Sequence, residues 1–548
     1  MKKRYLTFMI SFCLCIYLIS SIPSEACTSL LVTKGASADG SVMITYTCDG
    51  EFHPHLEYIP AGDYDPEDSL EIKDWNGNVR GKVKQVPHTN AVVDLMNEHQ
   101  LVIGETTFGG REELRNPEGL LHYWDLMQLA LQRAKTAREA IKVMTDMVAD
   151  YGYRSSGESF SIGDTKETWI MEMIGPDSGG VGAEWVALRV PDGHICCHAN
   201  KARIGEFPLD DPENCIYSEN VISFAVEKGF YDPQSGQPFR FCDAYDPATP
   251  KSQRYADARV WSIFRRATPS KNLSSDYHRA VEGAKPYPLW IKPDRKISLA
   301  FVFSLMRDHY EDTPYDMTRE IDAGPYGCPN RWRPIAWMVD SIEYAWERPI
   351  STQQTAFSFV SQSRSWLPDP VGGVFWYGVD DTYTTCYFPL YCGIDTIPQS
   401  FTTGSLQKFS WDSAWWVFNL VANYACLKYS FMLPEIQAVQ SDIEGNFIKL
   451  QPEVEKVGVE LSKSDPELLT SYLTDYSVTQ GEMVVKKWRD LGEYLITKYN
   501  DGYVKNEKGQ PEEKGYPESW LRKVLESRPE QFLLPVKEED IPESKLVN

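Results

Sequence analysis

An apolar leader that stops at a cysteine sets the first constraint on how this chain folds. Residues 1–26 open with three basic residues, continue as a long apolar run and end in Ser24-Glu25-Ala26, with small residues at positions −3 and −1 of the next bond. This is the pattern of a cleaved export signal. The sequence therefore predicts a mature chain that begins at Cys27, and the segment "CTSLLVTKG" predicts that it opens with a strand.

Two other interpretations of the leader fit less well. The apolar run approaches the length that spans a bilayer, but a cleavage site follows it and no flanking positive cluster does. A lipid-anchor signal favours a Leu-like residue at position −3 and a small one at −2, where this chain has Ser24 and Glu25. The leader thus predicts a periplasmic or secreted bacterial protein with no stable membrane insertion after cleavage.

Alternating and helical hydrophobic patterns predict the organisation of the chain after the leader. Strand pairs are expected around the turn "SADG", at Asp164 and at Asp192-Gly193. Between them, "LHYWDLMQLALQRA" and "TAREAIKVMTDMVADYG" have apolar residues at helical spacing, with Thr136 and Glu139 as a capping box and Gly152 as the stop. Two layers of antiparallel strands flanked by helices account for this order.

The length of 548 residues predicts two or three units. The main domain is expected at 27–430, with an irregular, Pro-rich insertion at about 206–330. Residues 431–548 are predicted to form a helical C-terminal region with a charged tail.

Charge and cysteine content exclude several classes of protein. The net charge of −23 becomes −25 once the leader, with three basic groups and one acidic group, is removed. Such a balance argues against nucleic acid and anionic membrane surfaces as partners. Ten cysteines remain after the leader, without a CxxC pair and with Cys196 and Cys197 adjacent. This spacing is not that of a disulfide-stapled module, although export permits some bridges, whose pairing the sequence leaves open.

A cysteine at the start of a mature chain carries its own general base. A thiol is a weak nucleophile while protonated. The free α-amine of Cys27 has a reference pKa of about 7.7–8.0 and accepts a proton near neutral pH. Before the Ala26–Cys27 bond is cut, this nitrogen is an amide without basicity, so cleavage doubles as activation. The nine histidines are scattered and form no metal-ligand spacing, so a mechanism without histidine suits this chain, and no cofactor is expected.

Several longer segments resemble one known family. They include "CTSLLVTKGASADGSVMI", "MNEHQLVIGETTFGGREEL", "HANKARIGEF", "GPYGCPNRWRP" and "FVSQSRSWLPDPVGG". These look like the PepD-type cysteine dipeptidases of the N-terminal nucleophile hydrolase superfamily, and the resemblance runs through nearly the whole mature chain. It implies an α+β fold, a four-layer αββα sandwich of antiparallel sheets. It also implies a catalytic N-terminal cysteine, hydrolysis of amide bonds in small peptides, and no metal.

The resemblance assigns catalytic roles to three residues. Cys27 matches the nucleophile. Asp49 in "YTCD" matches an aspartate that would hold the Cys27 amine or orient the thiol, with a turn aspartate as the alternative. Asn200 in "HANKAR" matches an asparagine whose amide donates to the oxyanion, or else caps a strand end.

Four further residues are implied at the substrate. Tyr46 stands where related acylases often have an arginine, which leaves substrate preference open. Glu105 and Thr106 in "GETT" lie where one of the two supplies a polar contact near the nucleophile. Arg203 is expected to meet a substrate carboxylate, or alternatively to form an internal salt bridge.

Three functions remain open on these residues. The first is an exported dipeptidase that cleaves small peptides through an acyl-enzyme on Cys27. The second is an acylase with the same machinery that cuts a non-peptide amide, such as an N-acyl amino acid or a conjugated bile acid. The third is a non-catalytic lipoprotein tethered through Cys27. A homo-oligomer is left open by the sequence.

Overall fold

The structure is a computed structural model that describes residues 27–177 and 179–534, and the leader and the tail from residue 535 lie outside them. In chain order the strands are β1 (Ser29–Val32), β2 (Met43–Asp49), β3 (Tyr58–Ile59), β4 (Gly62–Asp63), β5 (Ser69–Lys73), β6 (Val79–Lys84), β7 (His88–Thr89), β8 (Val92–Val93), β9 (Met96–Asn97), β10 (Val102–Phe108), β11 (Gly157–Gly163), β12 (Thr168–Ile174), β13 (Glu184–Arg189), β14 (Ile195–His198), β15 (Cys215–Tyr217), β16 (Trp290–Ile291), β17 (Ala336–Val339), β18 (Ile342–Ala345), β19 (Thr355–Gln362), β20 (Val374–Val379), β21 (Phe388–Tyr391), β22 (Val504–Lys505) and β23 (Pro511–Glu512). The helices are α1 (Tyr123–Arg133), α2 (Ala137–Tyr151), α3 (Val221–Glu227), α4 (Phe241–Tyr245), α5 (Pro250–Ser252), α6 (Ala258–Ala267), α7 (Leu299–Met306), α8 (Asp369–Gly372), α9 (Ala414–Ala425), α10 (Tyr429–Ser464), α11 (Pro466–Tyr499) and α12 (Glu518–Ser527). A π-helical turn, Gln253–Asp257, leads directly into α6.

Two large antiparallel sheets form the centre of the molecule. The first has seven strands in the order β16-β14-β1-β2-β19-β20-β21, and the second has eight in the order β15-β13-β12-β11-β10-β9-β8-β3. They pack on each other through β1 and β2 on one side and β10 and β11 on the other. The strands of this interface are almost wholly buried, because side chains on both of their faces are covered.

Helices cover both sheets. Helices α1 and α2 pack against the eight-stranded sheet, whereas α9, α10 and α11 pack against β20 and β21 of the seven-stranded one. The expectation of an α+β fold built from antiparallel sheets, with a helical C-terminal region, is therefore confirmed. Within the described residues, no helix is both long and apolar enough to cross a membrane.

Two of the three helix signals around α2, the cap at Thr136 and the stop at Gly152, are confirmed, whereas the capping box is not formed. The Thr136 side chain accepts a hydrogen bond from the Glu139 backbone N–H at 3.3 Å and so caps α2. The Glu139 carboxylate in turn accepts from the backbone N–H of Lys135, one residue earlier than a reciprocal capping box requires. Gly152 follows α2 with φ of 76°, which is the stop the sequence predicts.

The hairpin predicted at Asp192-Gly193 is wrong. Strand β13, before this turn, pairs with β12 and β15 of the eight-stranded sheet, whereas β14, after it, pairs with β1 and β16 of the seven-stranded sheet. The turn docks on the end of β1: Asp192 accepts a hydrogen bond from the backbone N–H of Gly35 at 2.6 Å, and the Gly193 N–H donates to Thr33 Oγ1 at 3.0 Å. The residues after it therefore align with β1 and not with β13.

Residues 206–330, predicted as an insertion, contribute to both sheets. Strand β15 extends the eight-stranded sheet beside β13, and β16 extends the seven-stranded sheet beside β14. Helix α6 also packs against β14. This part of the chain is thus tied into the same sheets that carry the first strand.

A glycine permits the close approach of the two sheets. A Cβ added at Gly104 in β10 would lie 3.2 Å from the Cβ of Tyr46 in β2 and 3.4 Å from the carbonyl oxygen of Thr45. Both neighbours belong to a central strand, so neither can move without shifting the sheet. A larger residue at this position would push β10 away from β2.

We expect Gly104→Ala to lower the free energy of unfolding by about 1–3 kcal/mol, because the added methyl group overpacks the interface between the sheets. Gly109→Ala is the matched control, since a Cβ at Gly109, just beyond the same strand, would meet nothing within 4 Å. Urea denaturation of both variants measures the difference. Equal midpoints for the two variants would contradict this account of the interface.

Candidate active site

Cys27 lies two residues before β1, an inner strand of the seven-stranded sheet. Strand β1 runs between β14 and β2. Thr28 extends the pairing towards β2, since its carbonyl accepts from the Thr47 N–H at 3.0 Å and its own N–H donates to Thr47 Oγ1 at 3.0 Å. Cys27 is fully buried. Its backbone is therefore fixed by the sheet immediately behind it.

Strand register places Asn200 opposite Cys27. Ser29 pairs with His198 in the antiparallel β1–β14 ladder, and two further steps set Cys27 against Asn200. The Asn200 Oδ1 accepts a hydrogen bond from the Cys27 nitrogen at 2.9 Å, and its Nδ2 donates to the carbonyl of Thr107 at 2.8 Å. Asn200 has φ of 53°, a left-handed conformation that asparagine tolerates better than most residues.

A buried arginine joins these two strand ends. Arg259, in α6, donates through Nη1 to the Cys27 carbonyl at 2.6 Å and to Thr28 Oγ1 at 3.0 Å. Through Nη2 it donates to Asn200 Oδ1 at 2.9 Å and to the Ala199 carbonyl at 3.4 Å. Burial, and then the neighbouring Arg348, lower the pKa of Arg259. One guanidinium therefore holds the carbonyl of Cys27 and the side chain that contacts its nitrogen.

The thiol of Cys27 faces a tyrosine and a glutamate. Its Sγ lies 3.7 Å from the Tyr46 hydroxyl and 3.7 Å from Glu105 Oε1, and the Tyr46 hydroxyl donates to the same Glu105 oxygen. All three side chains are buried. The structure thus brings Tyr46 and Glu105 to the thiol of Cys27.

The surroundings of Cys27 disfavour its thiolate. Burial raises the pKa of the thiol well above its ordinary value, and a hydrogen bond with Cys48 and the charge of Glu105 raise it further. Asp49 adds a smaller effect in the same direction. The resting thiol is therefore protonated and needs a base before it can attack.

Asp49 is held away from the Cys27 nitrogen by a different partner. Its carboxylate pairs with Arg348, with both side chains about 1% exposed, and accepts from Thr355 Oγ1 at 2.6 Å. The amine-holding position expected for Asp49 is taken by Asn200. Asp49 acts on Cys27 through its charge.

Thr106 and Arg203 are engaged elsewhere. The Thr106 hydroxyl is 2.7 Å from Nδ1 of His198, a buried side chain whose pKa is lowered to about 3 by burial. Both Nη atoms of Arg203 donate to backbone carbonyls, those of Cys197 and residues 287–289. The structure thus places the guanidinium of Arg203 on backbone carbonyls, and among the described residues this guanidinium forms no internal salt bridge.

Sequence reasoning missed Arg259 and Arg348. Both are fully buried arginines with partners more than 200 residues away in the chain, Cys27 for the first and Asp49 for the second. Arg259 occurs in an amphipathic helical stretch, "YADARVWSIFRRA", beside two other arginines. A charged residue on the apolar face of that helix is the one local signal that separates it from its neighbours.

Comparison with known proteins places the chain in a family. The model of peptidase family C69 matches residues 26–442. A probable dipeptidase of Salmonella dublin is 27% identical over 423 residues, which cover 72% of this chain and 85% of that protein. Dipeptidase A of Lactobacillus helveticus is 25% identical, and the match covers 74% of this chain and 82% of that protein. A dipeptidase of Bifidobacterium longum (strain NCC 2705) is 23% identical, and the match covers 72% of this chain and 76% of that protein.

We expect Arg259→Lys to lower the free energy of unfolding by about 2–4 kcal/mol, because one ammonium group cannot span four acceptors and leaves buried oxygens without donors. The control is Arg295→Lys, at an exposed arginine. Urea denaturation monitored by tryptophan fluorescence gives both values. If Arg259→Lys is as stable as the control, the guanidinium does not hold the two strand ends together.

Proposed function

The chain belongs to peptidase family C69 and is a cysteine-type dipeptidase, and we propose that it is an exported enzyme whose mature chain begins at Cys27. The observation that carries the proposal is the hydrogen bond of the Cys27 nitrogen to Asn200, with the thiol facing Glu105. After cleavage of the leader that nitrogen is an α-amine on the same residue as the nucleophile.

The α-amine of Cys27 acts as the general base. Arg259 donates to the Cys27 carbonyl at 2.6 Å and to Asn200 Oδ1 at 2.9 Å, so a fixed positive charge lies beside the amine. A neighbouring cation disfavours the ammonium form and keeps the amine neutral at a lower pH. The amine is therefore ready to accept a proton near neutral pH.

The reaction proceeds through an acyl-enzyme. The amine takes the thiol proton as Sγ of Cys27 attacks the carbonyl carbon of the scissile peptide bond. The ammonium then protonates the departing amine of the product and leaves a thioester on Cys27. Water, deprotonated by the same amine, attacks the thioester, releases the acid product and restores the thiol.

Three side chains assist these steps. The side-chain amide of Asn200, which lies at the Cys27 nitrogen, is the candidate donor to the oxyanion. The Tyr46 hydroxyl, 3.7 Å from Sγ, orients Glu105 and the thiol. Glu105 is also the candidate carboxylate for the free amine of a peptide substrate, since it lies at the nucleophile.

The packing of helices on two face-to-face sheets supports the finer description of the fold. We take helices α1 and α2, the eight-stranded sheet, the seven-stranded sheet and helices α9–α11 as the four layers of an αββα sandwich. In this arrangement the nucleophile opens a strand of one inner layer, and Glu105 reaches it from the other.

Export and substrate class complete the proposal. The basic, apolar and small-residue pattern of residues 1–26 supports cleavage before Cys27 and a periplasmic or secreted location. Small peptides are the substrates we propose, in keeping with the names of the relatives. The net charge of −23 gives no reason to propose nucleic acid as a partner.

We expect the chain that starts at Cys27 to hydrolyse dipeptides, and the same chain preceded by an uncleaved Ser24-Glu25-Ala26 to be about 10²–10⁴-fold slower, because an amide nitrogen is no base. Intact mass confirms that the extension is still present. Turnover of unlabelled dipeptides is followed by release of amino acids.

Two cysteine variants control this experiment. Cys27→Ala removes the thiol and is expected to abolish turnover. Cys215→Ala, which changes a buried cysteine of β15, is expected to retain turnover. An intact extended chain with undiminished turnover would show that the amine is not the base. Full activity of the Cys27→Ala variant would contradict the assignment of Cys27 as the nucleophile.

A further inference from the structure

Two cysteines far apart in the chain meet at the end of α9. Cys426 follows α9, and Cys328 lies almost a hundred residues earlier, in the segment 324–331. The two thiols are close enough that each shifts the pKa of the other. Asn330 Nδ2 also lies 3.3 Å from Cys426 Sγ, and the Tyr326 carbonyl accepts from the backbone N–H of Ser430 at 3.0 Å. The segment is thus fixed against the helix on both sides of the thiol pair.

This pair differs from the other cysteines of the described chain. Cys328 and Cys426 are partly exposed, whereas the remaining eight are buried. The hydrogen bond from Cys426 lowers the pKa of the Cys328 thiol, and the same bond, followed by burial, raises the pKa of Cys426. Cys328 is therefore the thiol that ionises first and can be reached by an oxidant.

We propose that Cys328 and Cys426 form a disulfide bond in the exported protein. The Cys328 thiolate attacks one sulfur of a disulfide oxidant, which is oxidised glutathione or a dithiol–disulfide oxidoreductase, and displaces the other sulfur as a thiolate. Cys426 then gives its proton to solvent and attacks Sγ of Cys328, which releases the second sulfur of the oxidant. Two electrons pass to the oxidant, which leaves as two thiols.

The bond would fix a loop that leads to the nucleophile side of the molecule. Segment 324–331 continues into Arg333 and the β17–β18 hairpin. Closing a loop of about 100 residues removes much conformational freedom from the unfolded chain. The cross-link therefore stabilises the folded enzyme in an oxidising compartment without touching Cys27.

The test is a thiol count on the mature chain, which has ten cysteines. After incubation with a glutathione redox buffer and denaturation, we expect eight reactive thiols and, in a non-reduced digest, a peptide pair linked through Cys328 and Cys426. Single variants Cys328→Ser and Cys426→Ser should each show nine. The oxidised wild type should melt about 4 °C above its reduced form.

Cys386→Ser, at a buried cysteine of the core, is the matched control and should show seven reactive thiols. Ten thiols in the oxidised wild type, or a linked pair that involves other cysteines, would overturn the proposal. The melting temperature of the double variant Cys328→Ser/Cys426→Ser should not depend on the redox buffer. If it still does, the proposal is also overturned.

A second observation concerns a cavity of about 510 Å³ beside the active site. It lies between the π-helical turn 253–257 and the β17–β18 hairpin, and its lining includes Tyr255, Arg333 and Trp346. The Tyr255 carbonyl accepts from Arg259 Nε at 3.1 Å, and Arg259 in turn contacts Cys27. One side chain thus separates the wall of this cavity from the nucleophile.

Arg333 is the cation of this cavity that lacks an acidic partner. Arg254 and Arg279 both pair with Glu347, at 2.9 and 2.8 Å. Arg333 instead donates to Gln354 Oε1 at 3.4 Å and bonds to Tyr255, with no ion pair to any carboxylate of the described residues. Its exposed guanidinium keeps N–H groups available to a ligand.

We infer that Arg333 binds the C-terminal carboxylate of the peptide substrate, in the place that the occupied Arg203 does not fill. This inference rests on the proposed dipeptidase function. A planar guanidinium accommodates a carboxylate through two parallel N–H···O bonds. In a dipeptide only one residue separates the carboxylate from the scissile bond. The carboxylate would therefore lie close to Cys27, and the cavity is separated from Cys27 only by the side chain of Arg259.

The test compares a dipeptide with its C-terminal amide, which lacks the carboxylate. In Arg333→Ala we expect kcat/KM for the dipeptide to fall about 10- to 100-fold, mainly through a higher KM, and kcat/KM for the amide to change little. Arg333→Lys should recover part of the loss. Arg319→Ala, at an exposed arginine outside the cavity, is the control.

Two failures are distinguishable. If the wild-type enzyme cleaves no dipeptide, the proposed function itself is contradicted. An active wild type whose Arg333→Ala variant loses the dipeptide and the amide equally, or neither of them, would leave the function standing and overturn the role of Arg333.

Discussion

The site depends on one buried guanidinium. Arg259 lies in a helix from the middle of the chain and bonds to the strand that begins with Cys27 and to the strand end that carries Asn200. Four acceptors in fixed positions suit the planar fork of arginine and no other side chain. Cys27 is therefore positioned by a part of the chain more than 200 residues away, so its surroundings form only when these distant segments come together.

The crossing between the sheets has an equally direct effect on the site. Had residues 184–198 formed a hairpin, β14 would have joined the eight-stranded sheet and taken Asn200 with it. Because the turn at Asp192 docks on Gly35, β14 pairs with β1 and the register sets Asn200 against Cys27. Contacts of this turn with the end of β1, which include Gly193 N–H to Thr33 Oγ1 at 3.0 Å, thus accompany the pairing that sets Asn200 against the Cys27 nitrogen.

Local patterns predicted most elements, and long-range contacts decided the site. The helices α1 and α2, the turn at Asp164 and the strands around Cys27 follow from hydrophobic spacing and capping residues. The neighbourhood of Cys27, Tyr46 and Glu105 also agrees with expectation. The sheet crossing, the partner of Asp49 and the carbonyl bonds of Arg203 depend on segments distant in sequence, and no spacing rule encodes those contacts.

In the proposed mechanism the surroundings of Cys27 keep its thiol inactive until a base is available. Burial, Glu105 and Asp49 all disfavour the thiolate. The thiol therefore stays protonated until the amine takes its proton as a substrate carbonyl accepts the sulfur. Before leader cleavage the nitrogen is an amide and cannot accept that proton at all. In the proposed mechanism the surroundings that keep the thiol protonated during export therefore make activity depend on the amine that leader cleavage frees.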